Sequence, residues 1–122
     1  MNNMVGLFKQ PKRHLKKLLK DGEYDDAIHF GRSLESKYSE DHDFMFIMGS
    51  IFLIVDDARK ALPYFEKAFE LDKTNVENLT LKTNAHLALE QKDRAIDCCK
   101  IILELQPKNS EAQELLEELE SL

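Results

Sequence analysis

Three alanines, Ala27, Ala61 and Ala95, stand 34 residues apart, and similar apolar neighbours travel with each. A self-similarity of that length implies one supersecondary unit used repeatedly, a helical hairpin that buries its apolar face only against the next hairpin. The pattern is fullest in DARKALPYFEKAFEL, Asp57 to Leu71, where Ala61, Phe65 and Ala68 share one helix face. Counting outward divides the chain into repeats 8–41, 42–75 and 76–109, with 110–122 left as an additional helix. The 122 residues suit one domain, 1–122, and three hairpins meet the usual minimum for a stack.

Local signals agree with that division. Pro11 suits the first turn of a helix because its missing N–H would have no intrahelical partner there, and Leu15, Leu18 and Leu19 follow at helical spacing. Gly22 can take the left-handed conformation that ends a helix, while Asp25 and Asp26 place negative charge at the start of the next. Gly31 and Leu34 depart from the pattern of Phe65 and Ala68, which suggests a volume exchange in which Leu34 fills what Gly31 vacates. Cys99 and Ile102 repeat that arrangement. Pro63 lies several residues into a helix but off the Ala61, Phe65 and Ala68 face, so it is expected to face solvent. Thr74 and Glu77 have capping-box spacing. The final SEAQELLEELESL sets Ala112, Leu115, Leu116, Leu119 and Leu122 against four glutamates, the pattern of a polar-backed cap that shields the end of a stack.

The repeat length, the small residue at position 20, the aromatic at 24 and the alanine at 27 of repeat two resemble the tetratricopeptide repeat family. Gly49 at position 8 and Pro107 at position 32 of repeat three belong to the same resemblance. It implies an all-α, right-handed superhelix of three antiparallel helix pairs plus the cap, acting as a protein-interaction module or adaptor whose concave groove binds a segment of a partner protein. Carried over position by position, the groove residues are Lys12, Lys16 and Leu19 in repeat one, Phe46, Ser50, Leu53 and Ile54 in repeat two, and Thr80, Asn84 and Leu87 in repeat three. Phe46, Leu53 and Ile54 would supply apolar area, and Lys12 and Lys16 would meet acidic groups of the partner. The family's carboxylate clamp for acidic chaperone tails is not reproduced: Lys12 fits, but the other places hold Lys16, Ile47, Glu77 and Leu81.

Charge supplies an alternative. Residues 1–20 carry six lysines and arginines and no acid, whereas the rest of the chain carries 11 bases against 23 acids, for a net charge of −6. A basic first helix can bind nucleic acid or an anionic membrane, with Val5, Leu7 and Phe8 as apolar contacts in the latter case. It lacks the interleaved aromatics of a single-strand binder, however, and the acidic body would repel a long polyanion. Another alternative is self-association, in which the N-terminal residues or a second copy of the chain cover Phe46 and Leu53.

No catalytic, cofactor-binding or metal-binding residues are expected. The four histidines have no metal-ligand spacing, no glycine-rich phosphate loop occurs, and the adjacent Cys98 and Cys99 lack an x-x-Cys partner. The two cysteines point about 100° apart on a helix, which suits packing in a reducing compartment better than a disulfide. No apolar run is long enough to span a membrane, and the positive charges follow the first apolar group rather than precede it, so the chain is expected to be cytoplasmic.

Overall fold

Seven helices and no strand make up residues 10–121, the part of the chain that the computed structural model describes. They are α1 (Pro11–Lys20), α2 (Tyr24–Leu34), α3 (His42–Ile54), α4 (Ala58–Leu71), α5 (Val76–Ala88), α6 (Lys92–Leu105) and α7 (Ser110–Glu120). Each helix packs on the next in sequence, and in addition α3 touches both α1 and α5. The first helices of the pairs therefore form a continuous layer of an all-α superhelical stack, closed at one end by α7. No described helix is long and apolar enough to cross a membrane.

The turns inside the pairs obey one rule. Gly22, Asp56 and Glu90, again 34 residues apart, all adopt positive φ, at 77°, 64° and 57°. In each case the following N–H reaches back over the helix end: Glu23 to the Leu18 carbonyl at 2.9 Å, Asp57 to Phe52 at 2.8 Å and Gln91 to His86 at 2.9 Å. This six-residue closure satisfies carbonyls that a helix end leaves unpaired. Only the first of the three turns uses glycine.

Helix starts repeat in the same way. Asp41, Asn75 and Asn109 each precede a first helix, or the cap, and accept a backbone N–H three residues on, from Phe44 at 3.0 Å, Asn78 at 3.1 Å and Ala112 at 2.9 Å. The capping box expected at Thr74 and Glu77 is not formed. Thr74 lies one residue too early and bonds Asp72 instead, through its N–H at 3.0 Å and its hydroxyl at 2.7 Å, leaving the cap to Asn75.

Ala27, Ala61 and Ala95 are wholly buried at the helix crossings. Leu15, Leu34, Phe44, Met48, Ile51 and Phe65 form one cluster with Ala27 and Ala61, while a smaller cluster under α5, α6 and α7 contains Leu79, Ile102 and Ala112. Pro63 is exposed, as its position on α4 predicts. The compensation at Gly31 differs from the expected one. A side chain there would meet the Met48 sulfur at 2.3 Å and Leu15 Cδ1 at 3.5 Å, so these two residues, rather than Leu34, take the space. Leu34 is fully buried all the same. At Gly49 the relation is reversed, and the Phe65 ring lies 2.6 Å from where a Cβ would stand. Position 8 is thus large where 24 is small (Leu15 and Gly31), small where 24 is large (Gly49 and Phe65), and intermediate at Thr83 and Cys99. Size is exchanged across the hairpin, because those residues face one another, whereas positions 24 and 27 sit side by side on one helix.

Cys98 and Cys99 are free and buried, and burial pushes both thiols up. His86 is also buried and spends Nδ1 on a 2.8 Å hydrogen bond with Gln91 Oε1. Among the described residues no group of three or more His, Cys, Asp or Glu side chains is placed to hold a metal ion.

Candidate functional site: the face of the first helices

The ten groove residues inferred from the sequence sit on α1, α3 and α5, the helices that form the continuous layer. Their environments differ. On α3, Ile54 is 51% exposed and the neighbouring Val55 is exposed too. Leu53 and Phe46 are half-buried against the core, the Phe46 ring lying 6.3 Å from that of Phe65. Ser50 is buried and its hydroxyl donates to the Phe46 carbonyl at 2.7 Å, so it offers nothing to a partner. Leu19 on α1 and Leu87 on α5 are half-buried.

The basic end is already occupied by the chain's own acids. Lys12 Nζ donates to Asp41 at 2.8 Å and stands 3.5 Å from Asp43, while Lys16 Nζ is 3.0 Å from Asp43. The hydrogen bond to Asp41 raises the Lys12 ammonium above its ordinary value although burial opposes it. For Asp41, burial works against the ionised form, but the bonds from Lys12 and the Phe44 N–H outweigh it and hold the carboxyl below the usual carboxylate range. Lys17 pairs likewise with Asp21 at 2.7 Å. The sequence reveals a run of lysines; which carboxylates answer them depends on the α2–α3 turn bringing Asp41 and Asp43 back beside α1. Lys9, Val5, Leu7 and Phe8, together with any covering of Phe46 by the first residues, lie outside the described part.

At the other end a cavity of about 150 Å³ opens between α5 and α7. Thr80, Thr83 and Asn84 line it from α5, Ile102 from α6, and Ala112 and Leu115 from α7. The threonine hydroxyls are spent on backbone carbonyls, Thr80 on Val76 at 2.9 Å and Thr83 on Leu79 at 2.7 Å. What remains polar at the cavity is chiefly the exposed Asn84 carboxamide and the exposed Glu111 carboxylate, which is also among its lining residues. The groove residues inferred from the sequence stop at α5, whereas this cavity is lined by α7 as well. Ser110 begins where a fourth repeat would begin, so continuing the count puts Glu111, Glu114 and Glu118 at the positions that Asp43, Phe46 and Ser50 hold in repeat two, three of the positions that line the groove in the family.

Comparisons with known proteins agree with this architecture. The first tetratricopeptide domain of Spaghetti (RPAP3), bound to the HSP90 peptide SRMEEVD, superposes with a TM-score of 0.82 at 22% identity, covering 91% of this chain and 88% of that one. The second such domain of human RPAP3, in complex with an HSP70 peptide, gives 0.81 at 18% identity over 90% and 92% of the two chains. The Yersinia enterocolitica type III secretion chaperone SycD, in complex with a peptide of the translocator YopD, gives 0.84 at 14% identity, covering 97% of each chain. At these identities the likeness concerns the fold. In sequence, the chain is 33% identical over 112 residues to anaphase-promoting complex subunit 7 of Dictyostelium discoideum, spanning 92% of this chain but only 18% of that relative. A tetratricopeptide repeat family model matches residues 53–119, more than half of the chain. With the 34-residue period expressed in turns, caps and buried alanines alike, the chain belongs to the tetratricopeptide repeat family.

Proposed function

We propose that the chain is a non-catalytic protein-interaction module that holds a segment of another protein along the face formed by α1, α3 and α5. The observation that carries this reading is the apolar middle of that face: Phe46 and Leu53 half-buried, and Ile54 exposed, on α3, the helix that touches both α1 and α5. An apolar strip of this kind supplies affinity, and flanking charges set orientation and encounter rate. Three structural neighbours of this fold are complexes with a bound peptide, which supports the reading by analogy. A chaperone tail ending in EEVD is not the expected ligand, since Lys12 is the one clamp position kept and it is engaged by Asp41. The likeness to a subunit of a complex favours a scaffold role in an assembly, and the free, buried thiols suit the reducing cytoplasm.

The ion pairs of Lys12, Lys16 and Lys17 weigh against α1 as a nucleic-acid or anionic-membrane binder, because a phosphate would have to displace carboxylates already in place. The test is capture from a lysate of the source cells with wild type, Ile54→Asp and Phe46→Ala, alongside light scattering. Loss of a protein partner in both variants at unchanged helicity is expected. Equal retention by all three would overturn the reading, and a wild-type dimer that Ile54→Asp converts to monomer would replace it with self-association.

A further inference from the structure

The charge along this face points to a partner opposite in sign to the one that the lysine run suggests. At the α1 end Lys12 and Lys16 face Asp41 and Asp43, two bases against two acids, and Lys20 is exposed with no ion pair among the described residues. Toward the other end the groove positions carry Glu77, Glu111, Glu114 and Glu118, all exposed and none in an ion pair among the described residues. Toward the α5–α7 end the unanswered charge is therefore negative, with Glu111 at the cavity itself.

That cavity has a definite preference of its own. Its threonines donate their hydroxyls to carbonyls of their own helix, and Ile102, Ala112 and Leu115 are apolar. A volume near 150 Å³ takes something the size of a benzene ring or a branched aliphatic side chain. Glu111 stands among its lining residues, and the Asn84 carboxamide can bond a passing peptide backbone.

We propose that the α5–α7 end of the groove binds a basic segment of a partner protein, with one leucine- or phenylalanine-sized side chain in the cavity and an adjacent lysine or arginine against Glu111 and its neighbouring glutamates. The proposal rests on the docking reading above and adds the sign and size of the ligand. An acidic segment would bring like charges together over this end, which costs affinity and slows encounter.

The test uses three capped pentapeptides as probes: one with a central leucine followed by two lysines, one with glutamates in place of the lysines, and one with alanine in place of the leucine. Each is titrated into the isotope-labelled full chain while amide shifts are followed by NMR. The leucine–lysine peptide is expected to move the Thr80, Asn84, Ala112 and Leu115 amides saturably. Both substitutions should weaken binding about tenfold or more, the first more strongly at low salt. In Glu111→Lys, a surface change, the preference between lysine and glutamate peptides should narrow or invert. Shifts of equal size with all three peptides, shifts elsewhere only, or a preference unmoved by Glu111→Lys would overturn the proposal. Failure here is separable from failure of the docking reading: a captured partner lost with Ile54→Asp but fully retained by Glu111→Lys sinks the basic-segment proposal alone.

Discussion

Glu90 shows how strongly a helix end can dictate a single residue. Its φ of 57° is unfavourable for a side-chain-bearing residue, yet the Gln91-to-His86 bond that closes α5 requires it. Glu90→Gly should raise stability by about 0.5–1 kcal/mol, the relief of strain exceeding the extra entropy of the unfolded chain. Urea denaturation checks this, and a loss of stability would contradict it. Gly22 announces its turn in the sequence, whereas Asp56 and Glu90 do not, because the conformation there comes from backbone closure and not from residue type. Glycine at a crossing is a different case. Gly49→Ala should cost about 1–3 kcal/mol, since the rigid, buried Phe65 ring occupies the site. Gly31→Ala should cost less, because a methionine sulfur can rotate away and the helix gains propensity. Equal effects would contradict the cross-hairpin exchange of size. That exchange was legible only as an anomaly at Gly31 and Leu34: a face pattern along one helix does not reveal which residue of the opposite helix fills a gap. Leu34→Ala is still expected to cost about 2–5 kcal/mol, as for any fully buried leucine.

Between elements, Asp41 performs two tasks, capping α3 through the Phe44 N–H and tying α3 to α1 through Lys12. Its carboxyl is held below its ordinary value, so its contribution is present above the unfolded pKa and is lost as pH falls through the lower, folded one. Asp41→Asn keeps a capping oxygen but removes the ion pair. Its stability should therefore fall less steeply than that of wild type in the acid range below about pH 4, where the free carboxylic acid titrates. Acid unfolding profiles that stay parallel would contradict this. The placement of α3, α5 and α7 follows from caps of one chemical type at 34-residue intervals, Asp41, Asn75 and Asn109, and that spacing was present in the sequence. Thr74 competes with Asn75 as a cap on residue type alone; the period decides between them. The apolar clusters are unequal, the smaller lying under α5, α6 and α7. Asn78, wholly buried near their junction, donates to the Phe65 carbonyl at 3.0 Å but leaves its own oxygen without a partner. In a quasi-linear stack with mainly nearest-neighbour coupling, the amides of α6 and α7 should exchange with solvent before those of α3 and α4. Uniform protection in native-state hydrogen exchange would show the stack to open as one unit.

Over the whole molecule, the architecture was open to sequence reasoning because one period governs alanines, turns and caps together. The electrostatics of the groove was not, since formal charges along the chain do not say which of them neutralise one another. Of the lysines of α1, Lys12, Lys16 and Lys17 meet Asp41, Asp43 and Asp21 while Lys20 stays without an ion pair among the described residues, and so do the glutamates of α7. Against the acidic-partner expectation attached to Lys12 and Lys16, the ion pairs leave those two lysines answered and the glutamates at the far end unanswered, which is the ground of the basic-segment proposal. The central claim is that the first-helix face is where the partner lies. Hydrogen-exchange mapping of the complex with a captured partner tests it most directly. Protection is predicted in α3 and α5 around Phe46, Leu53 and Asn84 and in the first turn of α7, with α2, α4 and α6 unchanged. Protection confined to α2, α4 and α6 would contradict the claim.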